Sequence, residues 1–509
     1  MFEKINVSQF QLQPSYLIFI SFFLLGVLLT SVFSPINFYY LAPFVLVPVF
    51  YCCLKLSPKL SALYLFSFGL GHFLTGVYWI YISVHSFGQA PIWIAIFLMF
   101  GLILLMSSYF ALAGWLISWW TNGHSFYLIF VGPSIWILFE WLRSWMFSGF
   151  PWMTLGYSQV DTFLSGWAPI FGVFGVSWFV SISATIFIYF ALKKKYLLAI
   201  LLMGMPYLMG FSLNFFTWSF NLGEPIKTTI IQSGIPQNLK WTAEQFPKTL
   251  DLYLQATKNT PKNSFIVWPE VAIPASSNHI EGYLQLIQKE VKESNKKIAL
   301  GLLEKNKDTG LLFNSMLFLD GITEQYYRKR HLVPFGEYFP VPSFIREWMR
   351  LQSLPNTDLS KGSQKQPLIK FSENILLATA ICYEVAFGSE QLYAFPNAAL
   401  LVNISNDAWF GDSIAPHQHL QISRMRSLEV SREMVRATNN GISAFIGPKG
   451  KVEKQSDQFV FARLSADLQP RSGSTPYVLF GNWPILLLSS IILIFFYSIK
   501  IKNIKPVVN

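Results

Sequence analysis

Cysteine, lysine and glutamate each follow an apolar segment in this 509-residue chain, at wide spacing. The run Ile375-Leu376-Leu377-Ala378-Thr379-Ala380-Ile381 reads as a buried strand, and Cys382 follows it directly. A thiol at such an exit sits where a scaffold can aim it at a substrate. Read alone, Cys382 is equally a small core hydrophobe, because free cysteines are among the most buried residues. Phe265-Ile266-Val267-Trp268 is a second such segment and ends at Pro269-Glu270. Lys329 lies in Tyr327-Arg328-Lys329-Arg330-His331-Leu332-Val333-Pro334-Phe335-Gly336-Glu337, a basic cluster that by itself suits a solvated face. Asn403 opens Asn403-Ile404-Ser405-Asn406-Asp407-Ala408-Trp409-Phe410-Gly411, which by itself is ordinary turn chemistry.

Together these residues have a chemistry. A thiol with a pKa of about 8.5 is mostly protonated at neutral pH and needs a base to become a nucleophile. Glu270, pushed toward neutrality by burial, is expected to take the thiol proton and later return it. Lys329 supplies a positive charge for the thiolate and then for the oxyanion of a tetrahedral intermediate. The backbone N–H of Tyr383 adds a donor. Glu337 is placed to hold Lys329.

Rival chemistries have less support. His331, two residues from Lys329, points the same way on a strand and would offer a cysteine–histidine dyad. His417 and His419 do not face one another at i, i+2 on a helix, and no carboxylate or cysteine set completes a metal site. HExxH and GxSxG are absent. A GxGxxG-like string at Gly69 is broken at Leu74 inside an apolar span. Of three cysteines, Cys52 and Cys53 are adjacent in an apolar run, so no disulfide framework and no CxxC site is available. No metal or organic cofactor is implied.

The elements that must carry these residues are partly membrane-embedded. Hydrophobic residues make up 52% of the chain and charged residues 13%, about half the usual share of a soluble domain. A net charge of +11 with such hydropathy excludes a nucleic-acid binder and fits basic loops beside anionic lipid. Apolar spans are expected at about 15–34, 37–54, 61–84, 91–118, 126–145, 168–191, 196–216 and 483–499. The first is weakly charged at its start and is followed by others, so it reads as a span and not a cleaved signal. Lys55 and Lys59, then Lys193 to Lys195, then Lys500, Lys502 and Lys505 fall on one side if the spans alternate, which places both termini in the cytoplasm. The stretch from about 220 to 482 is then outside, in the periplasm of a Gram-negative cell. On that side too lies a tryptophan- and glycine-rich loop from Glu140 to Gln159, either an interfacial belt or a re-entrant floor under a lipid-receiving site.

The outer stretch alternates strands and helices and argues a layered α/β fold. Strands are expected at 228–231, 265–268, 298–301, 312–319, 375–381 and 399–403, with a glycine-turned hairpin from Ala444 through Gly450. Helices are expected at about 243–257, 280–294 and 416–438, the last with Ile422, Met425, Leu428 and Val435 on one face.

Glu270, Lys329 and Cys382, in this order at strand ends, resemble the Glu-Lys-Cys triad of the nitrilase superfamily. Trp268-Pro269-Glu270, Lys329 to Glu337, Cys382-Tyr383-Glu384 and Asn403 to Gly411 are similar to the superfamily's membrane-embedded branch, the apolipoprotein N-acyltransferases. Gln232 to Gln237 with Lys240-Trp241, and Phe150-Pro151-Trp152, belong to the same likeness. It covers nearly the whole chain and departs at no triad position.

The resemblance implies eight transmembrane helices plus a periplasmic αββα sandwich of the nitrilase type. It divides the chain into a seven-helix domain 1–220, a catalytic domain 221–482, and an eighth span with a tail, 483–509. It implies a multi-pass enzyme of the bacterial inner membrane, working as an acyltransferase through a thioester on Cys382. The partners implied are a phospholipid acyl donor and a diacylglyceryl apolipoprotein acceptor. Glu337, Tyr383 and Glu384 fall at supporting positions. Trp241, Phe335, Trp409 and Phe410 read as lipid-facing or lid residues, with a core or interface role as the alternative for each. A membrane-anchored amidase is the rival enzyme, but seven preceding spans are too many for an anchor. A peptide-binding scaffold or transporter is the non-enzyme alternative; intramembrane charges are too few for ion coupling.

Overall fold

The computed structural model describes residues 15–339, 344, 346–347 and 358–504; Lys505 and the side chain of Lys502 lie outside the described residues. The chain falls into two units. Of the described residues, one takes those in Met1–Tyr78, Ile96–Thr217 and Leu479–Asn509, and the other Trp79–Ala95 with Trp218–Val478.

The first unit is helical. Among the described residues, Ile92–Thr121, Ser125–Arg143, Phe163–Leu192, Tyr196–Leu213 and Trp483–Ile501 are long and apolar enough to cross a membrane. Tyr16–Thr30 and Tyr39–Lys55 are shorter apolar helices. The expected span 61–84 is not one helix: Pro58–Gly76 ends before Trp79–Tyr81, and Ile82–Phe87 follows as a π-helix. Counted as one broken span, this pair makes a sixth long candidate. Close packing is built from small residues, as expected where lipid offers no hydrophobic drive between helices. A Cβ on Gly26 would lie 1.9 Å from the Phe68 carbonyl oxygen.

The tryptophan-rich loop is folded around the two charged residues beside it. Arg143 Nη1 donates to the carbonyls of Phe150 (2.7 Å) and Trp152 (2.6 Å), and Nη2 to Thr154 Oγ1 (3.2 Å). Glu140 Oε1 accepts from Leu155 N (2.9 Å) and Trp136 Nε1 (3.2 Å). Irregular backbone within a span region needs such partners.

The second unit is an α/β sandwich. Its strands are β1 Ser219–Asn221, β2 Ile226–Gln232, β3 Phe265–Val267, β4 Lys297–Lys305, β5 Leu312–Leu319, β6 Glu324–Arg328, β7 Ile369–Ser372, β8 Ile375–Ile381, β9 Ala398–Ser405, β10 Met434–Thr438, β11 Ala444–Ile446, β12 Val452–Gln455, β13 Ala462–Leu468 and β14 Arg471–Gly473. Among the described residues, one six-stranded sheet has the order β13-β2-β3-β4-β5-β6 and the other β12-β11-β10-β9-β8-β7. Val267, Phe318 and Ala299 of the first sheet share one buried cluster with Leu377, Val402 and Val435 of the second, so the sheets pack face to face. The outer face of the first sheet, with Ile266, Ile298 and Leu300, buries Tyr253 and Ile287 of the helices Gln245–Lys258 and Glu281–Glu293.

The third helix is shorter than its apolar pattern suggests. It runs Ala415–Val430, and residues 434–438, expected as its continuation, form β10. Ser431 stops it at φ +50°. Val435 and Ala437 then alternate inward with Arg436 and Thr438, a period of two that a helix cannot keep. Arg436 bonds Ser423 on that helix, which therefore lies on the sheet's outer face.

β8, β9 and β10 are mutually parallel, as are β2, β3 and β4. Their carboxyl ends therefore gather, the place where open α/β sheets hold ligands. The turn carrying Glu270 lies against β4 because position 301 lacks a side chain. A Cβ on Gly301 would fall 2.4 Å from the Pro269 carbonyl oxygen and 2.6 Å from Glu270 Cα. Gly301→Ala is expected to lower stability by about 1–3 kcal/mol. Gly282→Ala, with nothing within 4 Å, should leave it unchanged or slightly raised. Thermal unfolding of the two variants side by side checks this.

Candidate active site

Glu270, on the turn after β3, is buried. Lys329 immediately follows β6, and its N–H donates to the Asn314 carbonyl (2.8 Å), which fixes where its side chain starts. Lys329 Nζ lies 3.0 Å from Glu270 Oε1 and 3.0 Å from Glu337 Oε1. Asn314 Nδ2 donates to the same two oxygens, at 2.7 Å each. Glu337 Oε2 accepts from Val333 N (2.8 Å), so its loop is tied to the cluster. Glu270 Oε2 accepts from the backbone N–H of Asn406 (2.8 Å), and the Glu270 carbonyl accepts from Asn439 Nδ2 (2.9 Å). Glu270, Lys329 and Glu337, far apart in the chain, thus lie together in one buried cluster.

Cys382 opens the 3-10 turn Cys382–Ala386 at φ +51°, a left-handed conformation rare for a residue with a side chain. Its thiol is buried and feels the charges of Glu270, Lys329 and Asp407. Burial and the Glu270 charge outweigh the Lys329 ammonium, and the thiol is pushed up to about 12. Lys329 has the opposite balance. Burial would discharge it, but Glu270, Glu337 and Cys382 hold its proton well above the ordinary lysine range.

Glu270 departs from the expectation that burial makes it neutral. Burial does push its carboxyl up, but the Lys329 charge, bonds from Asn314 and Lys329, and the Lys240 charge bring it below its ordinary value. It is an ionised base facing a protonated thiol.

Glu384 fastens the cysteine turn to the lysine loop. Its Oε2 accepts from Ile381 N (2.7 Å), and its Oε1 from Arg330 N (2.6 Å) and His331 N (3.2 Å). The Tyr327 hydroxyl lies 3.1 Å from both oxygens. Tyr383 packs edge-on against Phe387, with ring centroids 5.0 Å apart. His331, the dyad alternative, stacks on Phe387 at 3.6 Å and has Nδ1 3.0 Å from Glu390 Oε1. Trp241 and Phe335 are exposed, at 54% and 41%. Trp409 is 37% exposed, and its carbonyl accepts from Ser83 Oγ (2.8 Å). Phe410 packs edge-on against Trp79, with centroids 4.8 Å apart.

Sequence reasoning misses three neighbours of the cluster as individual site residues, although Lys240 and Asn406 lie in stretches that carry the family likeness. Asn314, with Ser315, is a polar residue in an otherwise apolar strand. Asn406 acts through its backbone. Lys240 is buried, its Nζ 3.5 Å from the Glu270 carbonyl, and burial lowers its pKa to about 7 against the pull of Glu270.

A buried ionised carboxylate, a charged lysine beside it and a protonated thiol make an arrangement suited to acyl transfer. The state of the thiol is measurable. Alkylation of Cys382 by iodoacetamide should be slow at neutral pH and rise about tenfold per pH unit, without a plateau, up to pH ~10. Mass spectrometry of the Cys382 peptide reads the rate.

Two family descriptions match the chain: the apolipoprotein N-acyltransferase N-terminal domain over residues 25–186, and carbon-nitrogen hydrolase over residues 227–477. Apolipoprotein N-acyltransferase from Methylococcus capsulatus is 36% identical over 466 residues, spanning 91% of this chain and 92% of that protein. Its counterpart from Nitrosomonas europaea is 37% identical over 486 residues, spanning 94% and 97%. A solved CN-hydrolase superfamily protein from Xanthomonas campestris is 15% identical, covers 52% of this chain and 97% of its own, and superposes with a TM-score of 0.36.

Proposed function

Because the chain belongs to the apolipoprotein N-acyltransferase family, we propose that it moves a fatty acyl chain from a membrane phospholipid to an apolipoprotein by way of Cys382. The acceptor is the α-amine of the S-diacylglyceryl-cysteine that begins the apolipoprotein. The observation that carries this reading is the buried Glu270–Lys329–Glu337 cluster, of which the Glu270 and Lys329 charges act on the Cys382 thiol.

In the first half-reaction Sγ attacks an ester carbonyl of the phospholipid while Glu270 accepts the thiol proton. Glu270 is thereby neutralised, which removes the negative charge that opposed thiolate formation. Lys329 stays charged and faces the developing oxyanion, together with the Tyr383 backbone N–H. When the tetrahedral intermediate collapses, the proton on Glu270 goes to the leaving glyceryl oxygen. A lysophospholipid departs and a thioester remains. In the second half-reaction the free amine attacks the thioester, Glu270 takes the amine proton, and the thiol is regenerated as the amide forms. Water must be kept from the thioester meanwhile. The exposed Trp241, Phe335 and Trp409 are proposed to contact lipid, and Phe410 to anchor the loop that presents Trp409.

We further propose eight spans, from the five long helices, the broken one and the two shorter ones. Lysines 55, 59, 193–195 and 500 assign the cytoplasmic side, and the sandwich to the periplasm of the inner membrane. The working division is 1–220, 221–482 and 483–509, with residues 79–95 added to the catalytic part.

Full-length protein in vesicles with acyl-labelled phospholipid should gain a hydroxylamine-sensitive label on Cys382. Cys382→Ser should gain no such label and transfer nothing; transfer retained by that variant would reject the assignment. Lys329→Ala should block labelling, and Glu270→Gln should slow it by about 100-fold or more. In the wild type, labelling should hold level through neutral pH and fall only in acid. A lowered carboxylate pKa keeps the base ionised until pH drops through it. An amidase would instead release free acid without ever forming an amide with a diacylglyceryl peptide.

A further inference from the structure

Behind Cys382 lies a second buried set of polar side chains that the reaction above does not use. His419 is fully buried on the helix Ala415–Val430. Its Nε2 is 3.2 Å from the backbone carbonyl oxygen of Cys382, and its Nδ1 is 2.9 Å from Asp407 Oδ1. Asp407 Oδ2 accepts from Arg436 Nη2 at 2.7 Å. Arg436 Nη1 donates to Ser423 Oγ (3.1 Å) and to Asn403 Oδ1. Asp407 Oδ1 also accepts from Ser405 Oγ (2.7 Å). Room for the Asp407 carboxylate exists because residue 441 is glycine: a Cβ there would lie 2.6 Å from Asp407 Cβ.

The object gripped is unusual. Cys382 is left-handed at φ +51°, a state unfavourable for a residue with a side chain, which persists only where its surroundings hold it. Turning the residue to an ordinary φ would swing its carbonyl away from His419 and carry the thiol away from Glu270 and Lys329. The carbonyl and the thiol belong to one residue, and Asp407 reaches its carbonyl through His419.

We propose that His419 is a positioning residue for the thiol, holding Cys382 in its left-handed conformation through the Cys382 carbonyl, with Asp407 and Arg436 as its buried footing. The proposal rests on Cys382 being the nucleophile. His419 touches no reacting atom in this scheme. Its contribution belongs in the rate of thioester formation and not in phospholipid binding.

Two substitutions separate the ring's two bonds. Glutamine places its amide nitrogen near the position of Nε2, and asparagine near that of Nδ1. Both neighbours are acceptors, and burial and Arg436 lower the pKa of the ring, so a neutral ring donates to one of them at a time. His419→Gln keeps a donor toward Cys382 only, and His419→Asn toward Asp407 only. With full-length protein and acyl-labelled phospholipid vesicles, His419→Asn should lower the maximal rate of Cys382 labelling by about tenfold or more, with KM within about twofold. His419→Gln should recover the rate to within about threefold of wild type. Equal rates for the two variants, both folded by thermal unfolding, would overturn the proposal, because a general packing role predicts no difference between them. If either fails to fold, Asp407→Asn serves: a labelling rate equal to wild type overturns the proposal, and a fall in rate at unchanged KM supports it. The result is distinct from failure of the nucleophile itself, since Cys382→Ser retaining transfer would reject the thioester scheme whatever the His419 variants do.

Discussion

One lysine held between two carboxylates is the constraint around which the candidate site is arranged. Lys329 touches Glu270 and Glu337 at 3.0 Å each, and Asn314 ties the two carboxylates together from the other side. Taking such charges out of water is unfavourable by several kcal/mol per ion, roughly, unless each is paired and hydrogen-bonded. Here every partner is supplied by a different strand end or loop: Glu270 after β3, Asn314 in β5, Lys329 after β6, Glu337 beyond it. The cluster is satisfied only when the strands are in register, so fold and site are specified together. Burial first, and then the Glu270 charge, keep the nearby thiol protonated at rest. The second of these is relieved when Glu270 takes a proton.

Much of this was legible in the sequence because strand ends are legible. Apolar runs of strand length that stop at Glu270 or Cys382 announce both the element and the residue it presents. Of the expected spans, five stand among the described residues as helices long and apolar enough to cross a membrane, one is broken and two are shorter; about twenty apolar residues have few other uses. What stayed hidden lacked a pattern. Asn314 looks like a polar residue in a core strand, and the spacing of His417 and His419 says nothing of a contact with Cys382. Asn406 acts through a backbone group that no side chain reveals. Lys240 belongs to the likeness, but nothing in its spacing says that it is buried beside Glu270. The charge of Glu270 is not readable because burial is visible in a sequence, whereas the three residues opposing it, Lys329, Asn314 and Lys240, come from distant positions. The helix Ala415–Val430 was drawn too long because Val435 fits both periods, and only the left-handed Ser431 marks the stop.

The nitrilase-like sandwich and the membrane helices answer different physical problems within one chain. The sandwich buries a face-to-face core and gathers the carboxyl ends of parallel strands, so polar side chains meet in a dry place. The helical unit packs small residues against backbone, with Gly26 in contact with Phe68, because lipid does not drive apolar faces together. Its own buried charges, Glu140 and Arg143, brace an irregular loop that would otherwise leave amides unpaired.

Residues 79–95 precede most of the helices yet belong to the α/β unit, where Ser83 bonds Trp409 across 326 positions of chain. A ribosome delivers this piece early and its counterpart late. Until residues near 410 emerge, Trp79 has no Phe410 to pack against, and the sandwich cannot be complete at that end. Such long-range closure is slow in general, and exposed apolar surface during the wait invites wrong associations. Biogenesis of this fold is in that sense ordered from outside the sandwich, by a segment that must be stored before it can be used.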